Sequence, residues 1–217
     1  LKGSFVILSC PVKVMVYSAW LSLLTAALFH GGNGAKCPDD PPGSCSNLDF
    51  DRYKGRWYQQ VDSKAFFFGS GLQCVTANYS MNSDGTIKVF NTGNKGSPAG
   101  SLSTAEGSAT IGDASKCELK VSFSRFQPFP SPYRVLETDY TTYAIVASCL
   151  SVVNFLDLSA LWVLSRTPRM DSNQLKSLLK HVADLGYTWD DQRFTNQNET
   201  CKYHDATMGA EALEVVV

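Results

Sequence analysis

The side chains of this sequence best suited to covalent chemistry are its seven cysteines. Cys10 falls in an N-terminal stretch that is set aside below, leaving Cys37, Cys45, Cys74, Cys117, Cys149 and Cys201. An even count fits three disulfides, and six cysteines allow fifteen pairings that spacing alone does not choose among. No pair has the C-x-x-C spacing of a zinc or redox-active site, and full pairing leaves no thiol to act as a nucleophile. His30, His181 and His204 are scattered, and the chain contains no H-E-x-x-H, no G-x-S-x-G and no phosphate-binding glycine loop. No catalytic residue, metal or cofactor is therefore expected. Asn78-Tyr79-Ser80 and Asn198-Glu199-Thr200 are sequons, and in a secreted chain both asparagines are candidate glycan acceptors.

A second set of residues has types that suit closing a fold. Gly55-Arg56-Trp57-Tyr58 opens a strand-like run, Thr138-Asp139-Tyr140 is a polar turn between two apolar alternating runs, and Arg166 closes another such run before Pro168. A tryptophan needs a deep apolar site, an arginine can lay its planar cation on an indole while bonding carbonyls, and an aspartate can fix a turn. A catalytic Arg/Asp pair is disfavoured because neither a nucleophile nor a base stands beside it.

The elements that must carry these residues are strands. Alternating or turn-bounded runs lie at about 55–62, 72–81, 86–91, 100–111, 117–123, 133–138, 141–149 and 159–166, with Asn82-Ser83-Asp84-Gly85 as a hairpin turn. Thr92 to Pro98 should end the third run, and the prolines at 128, 130 and 132 should hold a loop before the sixth. Asp171 or Ser172 caps a helix with Leu175, Leu178, Leu179, Val182 and Leu185 on one face, and a short strand follows near Arg193 to Thr195. Eight regularly spaced strands and one late helix predict an all-β fold, an eight-stranded antiparallel up-and-down barrel with the helix packed outside. In such a meander the start of the first strand, the Asp139 turn and the end of the eighth strand share one end. Trp57, Asp139 and Arg166 meet there.

The opposite rim collects Phe66, Phe67, Phe68, Phe126, Phe129, Val152, Val153, Phe155 and Leu156. They either pack on one another or form an apolar entrance that meets an insoluble ligand or a lipid surface. Parity along the eighth strand turns Trp162 and Leu164 inward with Arg166, and a glycan on Asn78 would turn Tyr79 inward.

Ala19 to Phe29 is an apolar run followed by small residues from Gly31 to Ala35, the pattern of a secretory signal peptide and too short to span a bilayer. Met15 stands just ahead of it, and residues 1–14 are left out of the fold reading. The expected organisation is a leader and signal peptide over 1–35, one domain over 36–203 and a disordered tail over 204–217. With 217 residues, 44% hydrophobic, the chain can bury one sizeable core, and a net charge of −1 gives no field for nucleic acid.

Taken together, the three motifs in order, with Cys37-Pro38, Ala77-Asn78-Tyr79-Ser80, Ile87-Lys88-Val89, Tyr143-Ala144, Ser148-Cys149 and Trp162 to Pro168, resemble the lipocalin family. The resemblance spans about 37–201 and is strongest to the apolipoprotein D branch and its insect bilin-binding and crustacean carotenoid-binding relatives. It implies disulfides Cys74–Cys201 and Cys37–Cys149, leaving Cys45–Cys117 by subtraction, with an exchange of Cys45 to Cys149 as the alternative. It also implies a ligand cavity lined by Tyr79, Asn91, Phe123, Tyr133 and Trp162, to which parity adds Leu164. Phe123 fits plain barrel core equally well. The implied function is secreted carriage of a small hydrophobic molecule, such as a steroid, fatty acid, bilin or carotenoid, by a monomer or weak oligomer. The alternatives are a lipid- or carotenoid-converting enzyme and a pigment-protein subunit. A lipoprotein or membrane surface is a further expected partner through the apolar rim.

Overall fold

Eight antiparallel strands follow in chain order: β1 (Gly55–Ser63), β2 (Leu72–Met81), β3 (Ile87–Lys95), β4 (Leu102–Ile111), β5 (Glu118–Ser122), β6 (Ser131–Thr138), β7 (Tyr143–Val152) and β8 (Leu156–Ser165). The computed structural model describes residue 43 and residues 45–63, 70–123, 129–152, 156–187 and 192–204, with the backbone alone over 150–152 and 156–159. All belong to the compact unit spanning 33–217. Each strand pairs with its neighbour in sequence, and both β2 and β8 pair with β1, so the sheet closes on itself. Closure removes the exposed edges of an open sheet. A short ninth strand, β9 (Gln192–Phe194), takes over pairing with β1 at Val61 to Ser63, beyond the Gly55–Tyr58 stretch paired to β2.

Alternation along the strands sorts their side chains into two clusters. One fills the barrel and includes Trp57, Tyr79, Ile87, Val89, Leu119, Val121, Val135, Val146 and Leu164. The other lies outside, where Val61, Leu136, Ile145, Leu161 and Val163 meet Leu178 and Val182 of the long helix, with Leu175, Leu179 and Leu185 alongside. A bulge at Gln60 changes the phase of β1, which lets Trp57 face in and Val61, four residues later, face out. The helix, Ser172–Asp184, is capped by the Asp171 carboxylate, which accepts the N–H groups of Asn173 (2.9 Å) and Gln174 (3.0 Å). It is tied to the barrel by His181 Nε2, 2.7 Å from Glu137 Oε2, while the other Glu137 oxygen takes the Tyr143 hydroxyl.

Three boundaries differ from the sequence reading. β3 runs on to Lys95 because both its edges are paired there, and Thr92 and Asn94 are buried by that pairing; the turn comes at Gly96 (φ 74°) instead. Pro132 lies inside β6, at its second position, where a missing N–H interrupts little of the ladder. The stretch before β1, where the sequence reading places no element, contains a single helical turn, α1 (Phe50–Tyr53), capped by Asp49, which accepts Arg52 N–H at 3.2 Å.

Candidate functional site

At one end the barrel is shut. Trp57 is fully buried and donates its indole N–H to Tyr53 O at 2.8 Å. The Arg166 guanidinium lies 3.7 Å from a Trp57 ring centroid. It donates to Tyr140 O (2.9 Å), Arg56 O (2.9 Å), Arg52 O (2.8 Å) and Tyr53 O (3.1 Å), linking β1, α1 and the β6–β7 turn through one side chain. Asp139 accepts the N–H groups of Thr141, Thr142 and Tyr143, and the Thr142 hydroxyl. Burial pushes its carboxyl up, but these bonds outweigh that and hold it below the ordinary range. Thr138 Oγ1 receives Tyr140 N–H and donates to Tyr143 O. Gly55 takes φ 97°, and a Cβ there would lie 3.5 Å from Arg166 Nη1. This end is structural, with the Trp57, Arg166, Asp139 and Thr138 side chains bonded to the chain itself.

Above the floor the interior changes character. Ala77, Asn91 and Ala105 form one cross-strand row over β2, β3 and β4, and Tyr79, Val89 and Gly107 form the row below it. Ala105 is exposed although it shares the inward face of Ala109, so solvent reaches this wall inside the barrel. Asn91 Oδ1 is buried on that wall without a hydrogen-bond partner. Facing it, Trp162 stacks on Tyr133 with ring centroids 6.4 Å apart. The Tyr133 hydroxyl is 2.8 Å from those of both Tyr79 and Tyr53. Burial pushes the Tyr79 phenol up to about 12 and those of Tyr53 and Tyr133 well above the ordinary tyrosine value, so all three stay protonated. Three hydroxyl protons share two mutual bonds, which leaves one donor not used within the cluster.

Tyr79, Tyr133 and Trp162 are thus brought together, with Asn91 on the adjoining wall. Phe123 continues the inward face of Leu119 and Val121 but is 43% exposed, at the open end; its ring packs on Gly107, where an added Cβ would stand 2.9 Å from Phe123 Cδ1. Leu164 is buried with the floor cluster. Tyr53 was missed by the sequence reading. Its signal was Asp49 followed by the apolar pair Phe50 and Tyr53 at helical spacing, enough to propose one capped turn.

A Lipocalin-like domain model matches residues 48–197. The chain belongs to the lipocalin family. Rat (Rattus norvegicus) apolipoprotein D is 36% identical over 155 residues, covering 71% of this chain and 76% of the rat protein. Among solved structures, insecticyanin of the tobacco hornworm Manduca sexta superposes with a TM-score of 0.63 at 21% identity, covering 77% of this chain and 90% of its own. Lobster apocrustacyanin A1 gives 0.59 at 22%, covering 77% and 97%. At such identities these two structures speak for the lipocalin fold alone.

In this lipocalin Cys45 is bonded to Cys117 and Cys74 to Cys201. The alternative pairing of Cys45 with Cys149 is therefore overturned. Cys149 is itself disulfide-bonded, and the expected Cys37–Cys149 pair involves a residue outside those described. Asn78 stands on the outer face of β2, accepting from Arg56 Nε at 3.4 Å, with its Nδ2 buried and unpartnered. Asn198 lies half-buried in the C-terminal segment. Phe66, Phe67, Phe68, Phe126, Val153 and Phe155 fall outside the described residues, as do the side chains of Val152 and Leu156. Phe129, 72% exposed, is the part of that apolar rim the structure describes fully.

Proposed function

We propose that this lipocalin is a secreted carrier that holds a small hydrophobic molecule, of the steroid, fatty acid, bilin or carotenoid kind, in the open half of the barrel. The observation that carries this reading is the wall of Ala77, Asn91 and Ala105: small side chains leave room, and a buried oxygen lacks a donor. An unsatisfied buried acceptor costs about 1–3 kcal/mol, and turning the half-buried Asn91 amide to bring its oxygen onto a guest's hydroxyl or N–H removes that cost. The phenol cluster of Tyr53, Tyr79 and Tyr133 supplies the complementary donor, while Trp162 and Tyr133 offer aromatic faces to the apolar body. Burial at about 25 cal/mol per Å² supplies most of the affinity.

All five described cysteines are in disulfides, which supports an oxidising, extracellular setting and a carrier over an enzyme that would need a cavity thiol. Phe123 and Phe129 at the mouth support docking of that end on a lipid particle or membrane. The carrier acts as a monomer or weak oligomer.

The test is titration of the folded protein with matched hydroxylated and deoxy steroids, followed by quenching of Trp162 fluorescence, with Trp162→Phe as the spectral control. Asn91→Leu should weaken the hydroxylated ligand about tenfold and leave the deoxy ligand within about twofold. Equal losses for both ligands would remove Asn91 from the polar contact, and no saturable quenching by any ligand class would overturn the carrier reading.

A further inference from the structure

On the outer face of β1, away from the cavity, the segment after β8 and the C-terminal segment enclose an open pocket of about 330 Å³. Its lining includes Thr167, Arg169, Gln197, Asn198, Glu199 and Tyr203. Asn198 is the acceptor of the second sequon, so one wall of the pocket is the modifiable side chain itself.

The local geometry prepares that side chain. Asn198 Oδ1 accepts Thr200 N–H at 3.0 Å and the Thr200 hydroxyl at 2.7 Å. Both bonds hold the amide by its oxygen and leave Nδ2 for substitution, whereas Nδ2 of Asn78 is buried. The pocket floor is fixed: Gln197, 6% exposed, donates to Gln59 O (3.0 Å) and Val75 O (2.8 Å) and accepts the Tyr203 hydroxyl at 2.9 Å. Tyr203 is further held edge-on against Tyr58, ring centroids 5.1 Å apart. Arg169 and Glu199 form an exposed ion pair of 2.8 Å at the rim.

We propose that this pocket seats the first sugar of a glycan on Asn198, an N-acetylhexosamine. The volume suits one such ring, the Tyr203 ring can face its C–H surface, and Arg169, Glu199 and Thr167 offer charged and hydroxyl partners for its hydroxyl and acetamido groups. Attachment needs a polyprenyl-diphosphate oligosaccharide donor and its transferase. The bond between sugar C1 and the diphosphate oxygen breaks, the diphosphate leaves with the electron pair, Asn198 Nδ2 bonds to C1, and Nδ2 gives up one proton. The seated sugar then pins the C-terminal segment, already held by Cys74–Cys201, to the segment after β8. This rests on the secreted reading, because only a chain in the secretory route meets that donor.

The experiment uses the full chain secreted from eukaryotic cells, treated in parallel with an endoglycosidase that leaves one N-acetylglucosamine and with an amidase that removes the whole glycan and leaves aspartate. N198D made without glycosylation controls for the aspartate. The one-sugar form should match the intact glycoprotein and melt about 2–4 °C above the amidase product. Its amide hydrogen exchange across 197–203 should also be slower. A glycan present at Asn198 with equal melting and exchange in both products overturns the seat but keeps secretion. Secreted protein lacking any mass increment on the peptide containing Asn198 overturns the modification, and protein retained in the cytosol overturns the secreted reading beneath it.

Discussion

Replacing Arg166 with lysine keeps the positive charge and removes the fork. The guanidinium reaches four carbonyls at 2.8–3.1 Å while lying on Trp57, which a single ammonium on a flexible stem cannot reproduce. At best lysine keeps two of the four bonds. Hydrogen bonds from a charged donor contribute about 1.5–3 kcal/mol when buried, and partial exposure here reduces that to about 1 kcal/mol each. Loss of the flat cation over the indole adds about 0.5–1 kcal/mol. R166K should therefore cost about 2–3 kcal/mol, lowering Tm by about 4–10 °C, and R166A about 5 kcal/mol. Urea unfolding followed by tryptophan fluorescence measures it. A cycle of R166K with Trp57→Phe isolates the cation–indole part, with an expected coupling of about 0.5 kcal/mol or more. Ligand affinity of folded R166K should stay within about twofold, because Arg166 lies below the cavity floor. R166K within 0.5 kcal/mol of the parent would refute the account of a floor held by one planar cation.

Other perturbations separate further terms. C45A/C117A releases a closed loop with a sequence separation of 72 and should lose about 4 kcal/mol in urea unfolding, with ligand affinity unchanged. Asp62 is 2% exposed and bonded to Arg193 Nε at 2.9 Å and to Nη2, yet burial outweighs the arginine and raises its pKa, the sign of an ion pair that recovers little of its desolvation. D62N alone should destabilise by about 2–3 kcal/mol, while D62L/R193M should fall within about 1 kcal/mol of the parent by calorimetry. Asp139 has a lowered pKa, so the unfolded chain takes up its proton first on acidification. The stability it confers is complete above about pH 5 and is lost as pH falls through about 4 and below; D139N should flatten that part of a Tm-versus-pH profile.

How much of this was legible in the sequence follows from how local each signal is. The barrel, its closing helix and the meeting of Trp57 with Arg166 follow from period-two alternation and from the parity of an up-and-down meander, both properties of neighbouring residues. The extension of β3 was not legible, because Gly93, Asn94 and the nearby Pro98 carry loop propensity that pairing on two sides overrides. The bulge at Gln60 was equally hidden, since nothing in Gln59-Gln60-Val61 marks an extra residue. In the cavity, Tyr79 and Trp162 were reachable by parity. The phenol chain was not, because it joins α1, β2 and β6, and hydroxyl contacts 54 and 80 residues apart leave no trace in spacing.

The distribution of these interactions separates the stability of the barrel from its capacity to bind. Trp57, Arg166, Asp139 and the Cys45–Cys117 bond gather at the closed end, where buried groups are paired and the backbone is pinned from several elements. Toward the mouth the same interior face carries two alanines and an unpaired asparagine oxygen, positions where larger apolar side chains would have filled the space. That wall forgoes packing energy that the floor supplies instead. A cavity-filling change such as A77L should therefore stabilise the empty protein or leave it unchanged, since the void accepts the added atoms, while abolishing ligand uptake. Floor variants should do the reverse, lowering Tm with affinity intact. If A77L instead destabilised the ligand-free protein by more than about 1 kcal/mol, the wall would be tightly packed, and the small residues would reflect close strand approach and leave no room for a guest.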